Sequence, residues 1–92
     1  FDLKKPDDKI AAAYWLLSAL QLALAQFENG TESIDQSIEY AKKAQDRIQE
    51  MFSLGFKGLI LMSSGNLGKG QPLFEESIKN LKRIDGDDAN GY

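Results

Sequence analysis

The sequence predicts an all-α domain of four antiparallel helices, and three observations carry that expectation. Apolar residues recur at helical spacing over Ile34, Ile38, Ala41, Ala44 and Ile48, and again over Phe74, Ile78, Leu81 and Ile84. The stretch from Ile10 to Phe27 is apolar on nearly every side, with Ser18, Gln21 and Gln26 its only clearly polar residues, so other elements have to cover it. No segment alternates apolar and polar residues as a half-buried strand requires.

Helix 1 is expected over Asp7 to Phe27. Pro6 suits a first turn, Asp7 and Asp8 suit the positive end of the helix dipole, and Asn29 with Gly30 tolerate the left-handed conformation that ends helices. Helix 2 is expected from Thr31 or Ser33, where Ser33 and Gln36 have the spacing of a capping box. Its polar side carries Glu39 and Lys43, placed for an ion pair one turn apart. Helix 3 is expected over Met51 to Ser64. It carries Gly55 and Gly58, each costing about 1 kcal/mol relative to alanine inside a helix, which points to a closely approaching neighbour.

Three glycines and a proline mark Ser63 to Pro72 as the one long loop. Helix 4 follows from Pro72, with Glu75 and Glu76 in its first turn and Lys82 and Arg83 in its last. Asp85 to Tyr92 is a polar tail expected to fray, and Phe1 to Pro6 is a leading segment.

Ninety-two residues make one domain, of a size that buries only about 60 to 65% of its unfolded surface, so stability is expected to be marginal or shared with a partner. Opening on Phe1 rather than methionine, residues 1–92 read as a domain excised from, or forming part of, a longer protein. The net charge of −3 and a pI near 4.8 leave no basic face to neutralise phosphates, which argues against nucleic acid as a partner. With neither cysteine nor histidine, the chain has no disulfide, thiolate nucleophile, imidazole ligand or serine–histidine chemistry. The apolar stretch approaches the length of a membrane span. It is rich in alanine and lacks a lysine or arginine bias at its flanks, so a soluble domain without a span is expected. No compartment follows from the composition.

The two halves match without a gap when Ser77 is set on Ser37, an offset of 40 residues. Ile34 then falls on Phe74, Ile38 on Ile78, Ala41 on Leu81, Gly30 on Gly70 and Ser18 on Gly58. A helical-hairpin repeat of this length is the mark of chains in which each unit buries its apolar face on the next.

Ser37-Ile38-Glu39-Tyr40-Ala41-Lys42-Lys43-Ala44 resembles the second helix of a tetratricopeptide repeat, and Ser77-Ile78-Lys79-Asn80-Leu81-Lys82-Arg83-Ile84 is a weaker copy. The family's period is about 34 residues rather than 40, Gly86 replaces the proline that ends its repeat, and its tryptophan–leucine–glycine–tyrosine run is not legible here. The resemblance implies two hairpins crossing at Ser18 and Gly58, with a plain four-helix bundle as the alternative. It also implies a groove lined by the first helix of each hairpin. Ala12, Trp15, Ala19 and Leu22 would come from one helix, and Phe52, Gly55, Leu59 and Met62 from the other. Of these, Trp15, Ala19, Leu22, Phe52, Leu59 and Met62 are the expected partner-binding residues, and an apolar groove of this kind suits a hydrophobic helix or peptide.

No catalytic constellation stands out. Ser64-Gly65-Asn66-Leu67-Gly68-Lys69-Gly70 superficially resembles a phosphate-binding loop, but Gly70 stands where a serine or threonine would hold magnesium, and no strand precedes it. Asp85, Asp87 and Asp88 do not make a calcium loop, since Ala89 occupies a ligand position and Asn90 the place of the turn glycine. The acids lie on solvated helix faces, helix starts or the tail, without the pairing that raises a catalytic pKa. The expectation is a non-catalytic module without cofactor or metal, acting as a scaffold for another protein or peptide. The alternative is a homodimerisation domain, because two repeats leave an apolar flank uncovered.

Overall fold

Three turns of one geometry cut residues 6–90 into four helices. The structure, a computed structural model, describes residues 6–90, with side chains described as far as Ile84. Ala25, Gln45 and Gly65 take left-handed φ values of 59°, 57° and 96°. The next residue in each turn donates its N–H back across the helix end: Gln26 to the Gln21 carbonyl at 2.8 Å, Asp46 to Ala41 at 2.9 Å and Asn66 to Leu61 at 2.8 Å. These bonds satisfy carbonyls that a helix end otherwise leaves open. Between the turns run α1 (Pro6–Ala23), α2 (Phe27–Lys43), α3 (Arg47–Ser63) and α4 (Leu67–Asn90). Helix accounts for 89% of the described residues, and no strand occurs among them.

Several expected boundaries are corrected. Helix 1 ends at Ala23 rather than Phe27, and Asn29 and Gly30 lie inside α2. Gly30 is buried at a crossing point, where a Cβ would meet the Ser18 carbonyl oxygen and Ile60 Cδ1 at 3.6 Å. Ser33 is not a cap. It sits mid-helix and donates its hydroxyl to Gln21 Oε1 of α1 at 2.7 Å, while Thr31 bonds back to the Phe27 carbonyl at 2.9 Å. Ile48 belongs to α3, which begins at Arg47 behind a cap in which Asp46 Oδ1 accepts from the Gln49 N–H at 3.0 Å.

The long loop shrinks to Ser64–Asn66, because Gly68, Gly70 and Pro72 all lie within α4. Pro72 forfeits the bond to the Gly68 carbonyl, and both residues are exposed, so water can take the freed oxygen. The backbone of Asp85–Asn90 continues α4 rather than fraying; Phe1 to Lys5, the side chains beyond Ile84, and Gly91 and Tyr92 lie outside the described residues.

α1 packs on α2, α2 on α3 and α3 on α4, with a light contact between α1 and α3. Among the described residues, no Cα of α4 lies within 8 Å of α1 or α2. The result is an open row of two hairpins, 42 × 27 × 17 Å, rather than a bundle closed on itself. Its radius of gyration of 13.7 Å exceeds the roughly 12 Å of a compact chain this long.

Small and polar side chains, more than bulky ones, hold the row together. Among the described residues, Ala11, Ile34, Ala41, Met51 and Ile60 are the buried hydrophobic ones, and Ser18, Ser33, Ser37, Ser53 and Ser77 are buried with them. Ser37 donates to the Ala11 carbonyl at 2.7 Å, which uses its one proton; Ser53 therefore donates to Ser37 at 2.8 Å and accepts from Gln49 Nε2 at 3.1 Å. This chain ties α3 to α1 through α2. Tyr14 and Tyr40 stack 5.8 Å apart between α1 and α2, and Lys43, expected to pair with Glu39, places its ammonium over the Tyr40 ring at 4.7 Å. Asp35 and Lys57 join α2 to α3 at 2.8 Å near the surface, a pair worth about 1 kcal/mol or less.

The leucines of α1 are the departure from an all-round core. Only Ala11 and Ser18 of this helix are fully buried, whereas Leu16, Leu17 and Leu20 are 62%, 40% and 57% exposed, and Leu24 in the turn that follows is 58% exposed. No helix among the described residues is long and apolar enough to cross a membrane.

Candidate interaction cleft

The spacing of α3 and α4 is set by missing side chains. A Cβ on Gly58 would stand 2.5 Å from the Gly70 carbonyl oxygen and 2.9 Å from the Phe74 nitrogen, distances at which the backbone has to move. A Cβ on Gly55 would stand 2.5 Å from Ser77 Oγ. The glycines thus bring the two backbones together at one level, and larger residues on either side stand away from the contact. A cleft of about 270 Å³ opens there.

Met51, Phe52, Gly55, Phe56 and Leu59 of α3 form one wall; Phe74, Ser77, Ile78 and Leu81 of α4 form the other; Trp15 reaches in from α1. The lining is apolar apart from Ser77, whose hydroxyl is spent on the Phe74 carbonyl at 2.7 Å. Phe52, Leu59, Phe74 and Ile78 are all at least one third exposed, so the rim presents hydrophobic surface to whatever enters. Trp15 is half-buried with its ring tilted against Phe56, centroids 5.5 Å apart, and its buried Nε1 has no hydrogen-bond partner. A wider depression of about 670 Å³ is lined by Tyr14, Glu32, Ser33, Asp35 and Gln36, all of which carry polar or charged groups. The smaller apolar cleft has the better character of a binding site.

Three of the six expected partner-binding residues, Trp15, Phe52 and Leu59, meet in this cleft, together with Gly55. Ala19 and Leu22 are half-buried on α1 and take no part in its walls, and Ala12 is likewise outside it. Met62 is turned toward α4, with its Cγ 2.7 Å from where a Gly70 Cβ would stand. Sequence reasoning missed the α4 wall. Phe74, Ile78 and Leu81 belong to the apolar stripe of helix 4, and the exposure of Phe74 and Ile78 follows from α4 having a neighbour on one side only among the described residues.

Among the described residues, no group of three or more acidic side chains has the geometry to hold a metal ion. No protein-family model, curated protein or solved structure matches the chain.

Proposed function

We propose that this domain is a non-catalytic interaction module whose α3–α4 cleft receives an apolar helix of a protein partner. The lining of the cleft carries the reading. It offers several hydrophobic side chains from two helices and one hydroxyl already bonded within its own helix, which suits burial of a nonpolar helix face and leaves no group free for acid, base or nucleophilic work. The resemblance to tetratricopeptide repeats supports the same reading, since hairpins of that kind serve as scaffolds for protein or peptide partners.

Titration with an amphipathic helical peptide carrying leucines at i, i+3 and i+7 tests the proposal, with Trp15 as the fluorophore. Saturable blue-shifted emission is expected, and it should be lost in Ile78→Glu, which puts a charge on the α4 wall. A Trp15 spectrum unmoved by apolar helices, or a change that Ile78→Glu leaves intact, overturns it.

A further inference from the structure

We propose that the outer face of α1 in one copy docks head to tail into the α3–α4 cleft of a second copy, repeating between molecules the junction that joins the two hairpins within one. This rests on the cleft being a helix-binding site and names its occupant.

The template is the internal junction. There α3 presents Ser53, Phe56, Lys57 and Ile60, which meet Ser37 (2.8 Å), Trp15 (5.5 Å between ring centroids), Asp35 (2.8 Å) and the crossing point at Gly30. At the offset of 40 residues, the same four positions on α1 are Ala13, Leu16, Leu17 and Leu20. All four are exposed. The leucine face of α1 therefore corresponds to the face by which α3 packs on the first hairpin, and no helix among the described residues covers it.

The receiving side shows the complementary difference. Ile34 is fully buried on α2, whereas its counterpart Phe74 is 38% exposed on α4; Ile38 is half-buried and Ile78 is 40% exposed. α2 has α3 packed on it after α1, and α4, with no second helix packed on it among the described residues, is barer at both positions.

The polar pairs of the internal junction are absent from both free faces together. Ser77 bonds within its own helix and needs no partner hydroxyl, and the position facing it in this register is Ala13 rather than Ser53. Leu17 replaces Lys57, while Glu75, in the place of Asp35, lies at the exposed rim and accepts from Gln71 Nε2 at 3.0 Å. Leucines meeting Phe74, Ile78 and Leu81 bury apolar surface without stranding a charge. Because the two faces differ, the contact is heterologous, and copies add in a row instead of closing as a symmetric pair.

Light scattering on the full chain over a range of concentrations tests this. The expected mass rises with concentration past twice the 10.2 kDa of one chain. Leu20→Glu disables the α1 face and Ile78→Glu the cleft; both sites are exposed, and circular dichroism checks that each variant keeps its helix signal. Each variant alone should be monomeric, and an equimolar mixture should form a 1:1 dimer and nothing larger, one intact cleft meeting one intact α1 face. A wild-type chain that stays monomeric at high micromolar concentration overturns the proposal. So does association abolished by Leu20→Glu and untouched by Ile78→Glu, the pattern of α1 pairing with α1. A monomeric chain whose cleft still binds the leucine peptide rejects self-docking and leaves the interaction module standing, whereas one that binds neither rejects both.

Discussion

The hydroxyls of Ser37 on α2 and Ser53 on α3 lie 2.8 Å apart in the buried centre of the molecule, and the proton of Ser37 is already given to the Ala11 carbonyl of α1. Three helices thus depend on one serine. Ser37→Ala removes a donor to Ala11 and the acceptor of Ser53, so it should destabilise the domain by about 1 to 3 kcal/mol. Adding Ser53→Ala should cost less than the sum of the single changes, because the second hydroxyl is already stranded. Urea titration of the three variants checks the coupling, and strict additivity counts against it.

Glycines in the second hairpin should respond in opposite directions. Nothing lies within 4 Å of where a Gly68 Cβ would stand, so Gly68→Ala should stabilise by up to about 1 kcal/mol through helix propensity. Gly58→Ala drives a methyl into the Gly70 carbonyl and should destabilise by about 1 to 3 kcal/mol, with Gly58→Leu at least as damaging. Thermal unfolding of the two alanine variants side by side is the measurement, and equal shifts in Tm would contradict the close approach of α3 and α4.

Two turns hold a side chain where glycine is at ease. Ala25→Gly and Gln45→Gly should each stabilise by up to about 1 kcal/mol by relieving the left-handed backbone at φ 59° and 57°, and Gly65→Ala should lose about as much. Denaturant midpoints of the three variants test it, and a loss of stability in both glycine variants would sink it.

Trp15 separates bulk from polarity. Trp15→Ala empties the half-buried site against Phe56 and should cost about 2 kcal/mol while weakening association and leaving the helix signal of the folded chain in place. Trp15→Phe keeps a ring and removes the unpartnered indole N–H, so it should stay within about 1 kcal/mol of the parent. Equal losses for the two substitutions would show that the indole nitrogen has a partner in solution.

Helix content and the pairing of the halves were legible because periodic stripes and the match of Gly30 with Gly70 survive in the residues themselves. The ends of the helices were not. Asn29-Gly30 carries the residue types of a stop, yet the stop falls at Ala25, whose side chain gives no hint of a left-handed turn. Gly68, Gly70 and Pro72 read as a loop for the same reason: composition does not distinguish a glycine that frees the backbone from one that lets another helix approach. Half of the cleft was legible through Trp15, Phe52 and Leu59. Its other half depends on α4 having α3 as its one helical neighbour among the described residues, which no stripe within α4 reveals.

That arrangement also governs how the chain folds. With α4 in contact with α3 alone among the described residues, the tertiary contacts form within a hairpin or between adjoining helices apart from the light touch of α1 on α3, and no distant ends have to find each other before the core appears. Loop-closure entropy is therefore small at each step, and folding belongs in the microsecond-to-millisecond range typical of helical chains with local topology. Emerging from a ribosome, the first hairpin can close on Ser18 and Gly30 while the second is still being made, and at the other end α4 is the helix held by fewest neighbours and the first to peel away when the row is pulled apart.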